Sequence, residues 1–202
     1  MLRIARRASL LGLLVAVFVQ GNALAATVNV SMTNFVFTPT SASLLIGGTV
    51  HWTNDTTTTS HTSTGDSPLS LWDSGLIGPG GAFDFVFTAG GQYKYHCAVH
   101  QSLGMTGIVS VKIKAFPPSG PVGTKFSVTV ASVNAPTGFV YDIQRKDPGG
   151  NWMNWMMNVT TKSVQWDSTG FAPGTYSFRS RLHNTSSGAT SGYSAAKSVM
   201  VT

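Results

Sequence analysis

The sequence predicts an all-β chain built as two consecutive sandwiches, and three observations predict it. The apolar segments are short, rich in β-branched and aromatic residues, and separated by turn residues. No segment beyond residue 26 keeps a helical period. The 202 residues include 22 glycines, few charges and no glutamate, which suits an exported β-protein better than a helical cytosolic one.

Residues 27 to 32 alternate and form the first strand candidate. Asn34 to Pro39 follows. Ser43 to Ile46 runs into a Gly47-Gly48 turn, and Thr49 to Asn54 is the next strand. Residues 55–66 are nearly all Thr, Ser, Asp and Gly, a loop by composition. Strands are then expected over Ala82 to Thr88, Gln92 to Cys97 and Gly107 to Lys114. Phe116-Pro117-Pro118-Ser119-Gly120-Pro121 reads as a stiff connection between domains. Beyond it the strand candidates are Lys125 to Ala131, Phe139 to Arg145, Trp152 to Asn158, Ser163 to Asp167, Gly174 to Leu182 and Ala195 to Thr202. This gives a domain over residues 26–114 and a second over residues 115–202.

The beginning of the chain is set apart. Arg3, Arg6 and Arg7 precede the apolar run Leu10 to Val19, and Ala23-Leu24-Ala25 offers a small-x-small cleavage pattern. This is the order of a secretory signal peptide over residues 1–25. The run is too short to span a bilayer comfortably, so no stable membrane insertion is expected after cleavage. The remainder belongs in a periplasmic or extracellular compartment. Residues 26–114 carry three lysines against four aspartates, and residues 115–202 carry seven cations against three aspartates. Charge this modest does not argue for nucleic-acid binding.

Cys97 is the only cysteine, so no disulfide framework exists within the chain. Its neighbours give it a chemical meaning. In Tyr95-His96-Cys97-Ala98-Val99-His100, followed by Gly104-Met105-Thr106-Gly107, one short loop supplies a thiolate, an imidazole and a thioether. One distant imidazole completes the two-His, one-Cys, axial-Met set of a blue-copper electron-transfer site. Soft sulfur suits Cu(I) and imidazole suits Cu(II), so a mixed set serves both oxidation states. Strand alternation points Tyr93, Tyr95 and Cys97 to one face and His96 outward. For the distant imidazole, His61 in the polar loop is favoured over His51, which lies inside a strand.

Cys97-x2-His100-x4-Met105, with Phe35-x-Phe37-x-Pro39 and the run Gly48 to Asp55 containing Val50, Trp52 and Asn54, resembles the plastocyanin/azurin family of cupredoxins. The resemblance covers residues 27 to about 113. It implies an eight-stranded Greek-key sandwich holding one type 1 copper through His61, Cys97, His100 and Met105. It also implies that His100 lies nearest the surface, where electrons would pass. The family often has Asn directly after its first histidine ligand, where this chain has Thr62, whose hydroxyl can do a similar job.

Residues 116–202 resemble a fibronectin type III-like or immunoglobulin-like module through Tyr141-x-Ile143-x-Arg145, the Trp152 to Met157 segment and the strand around Tyr176 and Phe178. Trp152-Met153-Asn154-Trp155-Met156-Met157 is read as a strand packing the sandwich with Met as filler, with thioether binding of Cu(I) as the rival. His183, just past a strand, is read as a surface residue. The expected function is an electron carrier between exported redox proteins. A copper store or delivery protein, or an adhesion or assembly module carrying copper, are the alternatives. An enzyme is disfavoured: the five histidines contain no His-x-His pair, and a saturated ligand set leaves no open position for substrate.

Overall fold

The computed structural model describes residues 26–202. The expected signal peptide, residues 1–25, lies outside the described residues. Strands β1 (Thr27–Thr33), β2 (Val36–Thr38), β3 (Ser41–Leu45), β4 (Gly48–Asn54), β5 (Thr64–Gly65), β6 (Ala82–Phe87), β7 (Gly91–His96) and β8 (Thr106–Lys112) build the first half. They form two four-stranded sheets, ordered β2-β1-β4-β6 and β3-β8-β7-β5. Burial alternates as the sequence implies. In β4, Val50, Trp52 and Asn54 point inward, and in β7, Tyr93 and Tyr95 do so while Gln92 and Lys94 face out. Trp52 is fully buried, stacking near Trp72 and meeting Tyr95 edge-on at 5.5 Å. Burying a side chain of that size is worth about 5 kcal/mol before entropy is counted.

The second half holds β9 (Lys114–Phe116), β10 (Ser119–Gly120), β11 (Lys125–Thr129), β12 (Phe139–Lys146), β13 (Trp152–Val159), β14 (Ser163–Asp167), β15 (Gly174–Asn184) and β16 (Lys197–Val201). Their sheets are ordered β14-β11-β9 and β10-β16-β15-β12-β13. The Pro-rich stretch is therefore not a free spacer, because β9 pairs with β11 and β10 with β16. Both prolines between them lack the amide that a ladder needs, which is why two very short strands flank them.

Two readings of the second half change. His183 lies within β15, and its Nδ1 is 3.3 Å from the carboxylate of Asp142, a fully buried group that also pairs with Arg181 at 3.1 Å. The methionines of β13, an edge strand with one neighbour, are not core filler: Met153, Met156 and Met157 are all exposed. The tryptophans do pack. Trp155 meets Phe178 inside, and Trp152 lies under the Arg179 guanidinium at 4.3 Å.

In each half a tyrosine hydroxyl returns to a backbone carbonyl four residues upstream, Tyr93 to Ala89 and Tyr176 to Ala172. The halves meet along the start of β7. Gly90 N donates to Val130 O at 2.8 Å, and Gln92 and Gly192 exchange backbone bonds at 2.9 and 3.0 Å. At Gly90 the packing leaves no room for a side chain. A Cβ on Gly90 would lie 2.3 Å from Ile113 Cγ2 and 3.2 Å from Val130 O.

Gly90→Ala is therefore expected to cost about 1–3 kcal/mol through overpacking. Gly78→Ala, whose added methyl meets nothing within 4 Å, should cost less than about 0.5 kcal/mol. Denaturant unfolding of both variants checks the contrast.

Candidate metal centre

Cys97 ends β7, and the chain then turns at once. His100 N donates to Cys97 O at 3.1 Å, and a 3-10 turn follows over Gln101–Leu103. Gly104 takes φ 81°, a left-handed conformation glycine adopts freely. That reversal returns Met105 to the interior, where it is fully buried, and Cys97 N closes the loop on Met105 O at 3.0 Å. Gly107 then leaves room for the Tyr95 ring, which a Cβ there would meet at 2.4 Å.

His61 arrives from 36 residues upstream by backbone pairing. The stretch read as loop contains β5, which pairs with β7 through Thr64↔His96 and Gly65↔Tyr95. His61 also exchanges backbone bonds with Ile77 at 3.1 and 2.8 Å. Asn54, fully buried at the end of β4, donates to Thr59 O and Ile77 O at 2.8 Å and accepts from Thr56 N, so it pins the segment that carries His61. This role was not read from the sequence, although a polar residue at an inward position of an alternating strand was a signal for it.

These elements bring His61, Cys97 and His100 together, their donor atoms all within 4.8 Å of one another. Cys97 Sγ lies 3.7 Å from His61 Nδ1 and 3.4 Å from His100 Nδ1, and the two nitrogens are 3.2 Å apart. A point equidistant from the three atoms lies about 2.0 Å from each. First-row metal bonds to imidazole run about 2.0–2.1 Å and to thiolate about 2.3 Å, so the triangle fits such an ion. Burial, and next the neighbouring His100, hold the His61 imidazole below its ordinary pKa of 6.5. At neutral pH its ring is uncharged and its lone pair is free to bind.

Thr62 takes up the position where asparagine was the familiar choice. Its Oγ1 accepts from Ala98 N at 2.8 Å and contacts Thr64 Oγ1 at 2.9 Å, which in turn donates to Asp73. Its backbone N–H donates to Cys97 Sγ at 3.3 Å, a bond that stabilises thiolate charge. His51 and His96 stand apart from the cluster. His51 pairs with Asp84 at 2.7 Å, and His96 turns away to pair with Asp66 at 2.6 Å.

One further side chain closes the cluster. The two-residue turn between β1 and β2 is Asn34-Phe35, with φ 47° and 62°. The Phe35 ring lies 4.6 Å from the His100 ring and 6.2 Å from the His61 ring. Holding an aromatic residue at positive φ costs roughly 1–2 kcal/mol. His100 is half-buried, with Val99 and Leu103 exposed beside it in sequence, whereas His61 is fully buried.

Residues 24–112 match the family described as copper binding proteins, plastocyanin/azurin family. Among solved structures, a reduced Cu(I) form of an amicyanin mutant is 22% identical, covering 43% of this chain and 82% of its own, with a TM-score of 0.39. The purple cupredoxin from Nitrosopumilus maritimus is 27% identical, covering 43% and 99%, with a TM-score of 0.38. A copper-containing nitrite reductase from Thermus scotoductus SA-01 is 24% identical, covering 43% and 22%, with a TM-score of 0.39. No curated protein sequence matches the chain.

Thr62→Val keeps the shape of the side chain but removes the acceptor of Ala98 N–H. It is expected to weaken metal retention about 10–100-fold, the usual cost of losing an outer-shell partner. Competition with a chelator measures the change.

Proposed function

We propose that this chain, whose first sandwich is a copper-binding cupredoxin, is an exported type 1 copper protein that carries single electrons between redox partners. The observation that carries the reading is the convergence of two imidazole nitrogens and one thiolate sulfur at 3.2–3.7 Å, with the buried Met105 on the same loop. In this reading His61, Cys97 and His100 hold one copper and Met105 is its weak axial donor.

Bound copper supplies a one-electron couple. The protein supplies rigidity. Thr62, Asn54 and the β5–β7 ladder fix the ligands from behind, so the donor set changes little between oxidation states. Four protein donors also leave no position for substrate, which favours a carrier over an enzyme. His100 is the half-buried ligand, and exposed Phe35, Val99 and Leu103 give it an apolar setting suited to transient docking of another exported redox protein. The second sandwich pairs with the start of β7, five residues from Cys97. That is about 17 Å along an extended strand, so this domain docks away from the His100 surface. Export is supported by the amino-terminal pattern of Arg6-Arg7, Leu10 to Val19 and Ala23-Leu24-Ala25. Among the described residues no helix is long and apolar enough to cross a membrane.

Loaded with Cu(II), the protein should be intensely blue, and Cys97→Ser should abolish the colour. His61→Ala should remove the stabilisation that copper gives in thermal melts, while His51→Ala and His96→Ala keep it. A strong visible band in Cys97→Ser, or the reverse ranking of the histidines, sinks the assignment.

Met105→Leu separates a carrier from a copper store. A weak axial thioether chiefly tunes potential, so the variant should keep copper and colour while its midpoint rises, since losing a donor disfavours Cu(II). Loss of copper instead would make Met105 a principal ligand and favour storage. Voltammetry with metal analysis distinguishes the two.

A further inference from the structure

The β1–β2 hairpin has a two-residue turn, closed by the pair Thr33↔Val36. Both turn residues have positive φ, the primed geometry that ordinarily takes Asn-Gly. Asn34 suits its position, since asparagine tolerates the left-handed region. Phe35 occupies the position where glycine would be unstrained. An aromatic residue kept at positive φ beside a functional centre points from the outlier to a role. Its ring is not core filler, being 41% exposed. It lies instead against the imidazoles of His100 and, farther off, His61, with centroids at 4.6 and 6.2 Å.

We infer that Phe35 is a positioning residue of the copper site. It restrains the His100 ring from the solvent side and sheds water from the metal. The inference rests on the reading that His61 and His100 hold copper. His100 needs such a restraint more than its partners do. Cys97 is fixed by the end of β7 and by Thr62 N–H, and His61 is fully buried on a backbone paired with Ile77, whose carbonyl Asn54 also bonds. His100 sits at the start of the exposed turn Gln101–Leu103, and no side-chain cap bond holds it there. The Phe35 ring, tilted at 55° to the imidazole, packs on a half-buried side chain whose only hydrogen-bonding contacts among the described residues are with Cys97 and His61 inside the cluster. The apolar shell of a metal site governs solvent access in the same way.

The test compares wild type, Phe35→Gly, Phe35→Leu and Phe35→Tyr by apoprotein melting and by the rate at which copper is lost to excess chelator. Phe35→Gly relieves the backbone strain, so its apoprotein should melt no lower than wild type while its copper is lost about 10–100-fold faster. Phe35→Leu should also lose copper faster, and Phe35→Tyr should retain it as wild type does. Wild-type copper retention in the Gly variant overturns the inference. So does a fall in apoprotein stability that tracks copper loss across the Gly and Leu variants, which would make the ring ordinary hairpin packing. A wild-type chain that binds no copper overturns the functional reading along with this one.

Discussion

The site depends on one short stretch of backbone pairing, the two-residue ladder between β5 and the end of β7. Thr64 opposite His96 places His61 and Cys97 at the same end of the same sheet. A strand register is quantised, and a slip of one residue would turn each side chain to the opposite face. This ladder therefore decides whether a distant imidazole reaches the sulfur at all. Its shortness explains the other restraints around it. Two residue pairs cannot hold a twelve-residue polar segment unaided, so Asn54 bonds the segment from below and Ile77 brackets His61 from the side.

The return loop solves the opposite problem. Cys97, His100 and Met105 are close in sequence, and the difficulty is to bend the chain sharply enough for all three to face inward. The 3-10 turn and the left-handed Gly104 provide the bend, and Cys97 N to Met105 O closes it. Rigidity at both ends suits the proposed electron-transfer role, because ligand motion between oxidation states slows transfer. Thr62 links the two ends, accepting from the loop at Ala98 and donating to the sulfur. The same β7 that delivers Cys97 is tied at its other end to the second sandwich through Gly90 and Gln92. One strand thus joins the seam between the two sandwiches to the proposed metal ligands, and Gly90, Gly91 and Gly192 at the seam leave room for the side chains of Ile113, Ser191 and Gln92.

By itself the sequence determined what depends on local spacing. Alternation in β4 and β7 gave the inward faces, and Cys97-x2-His100-x4-Met105 gave three donors, because their residue types and spacing are written in one short stretch of chain. The outward turn of His96 was legible for the same reason. Tertiary structure decided whatever depends on partners distant in sequence. Composition made residues 55–66 a loop, yet pairing with β7 draws Thr64 and Gly65 into a sheet. The Pro-rich stretch looked like a spacer, yet its flanks complete the second sandwich. His183 looked exposed until β12 brought Asp142 beneath it, and the methionines of β13 looked buried until packing turned the tryptophans inward and left them exposed. Phe35 belongs to this second group. Its residue type and place in a turn are visible in the sequence, but its meeting with His100 exists only because β1 and β8 belong to facing sheets of one sandwich. Local spacing is a property of the covalent chain, whereas burial and proximity are properties of the packed one, and only packing could separate His61 from His51 by geometry.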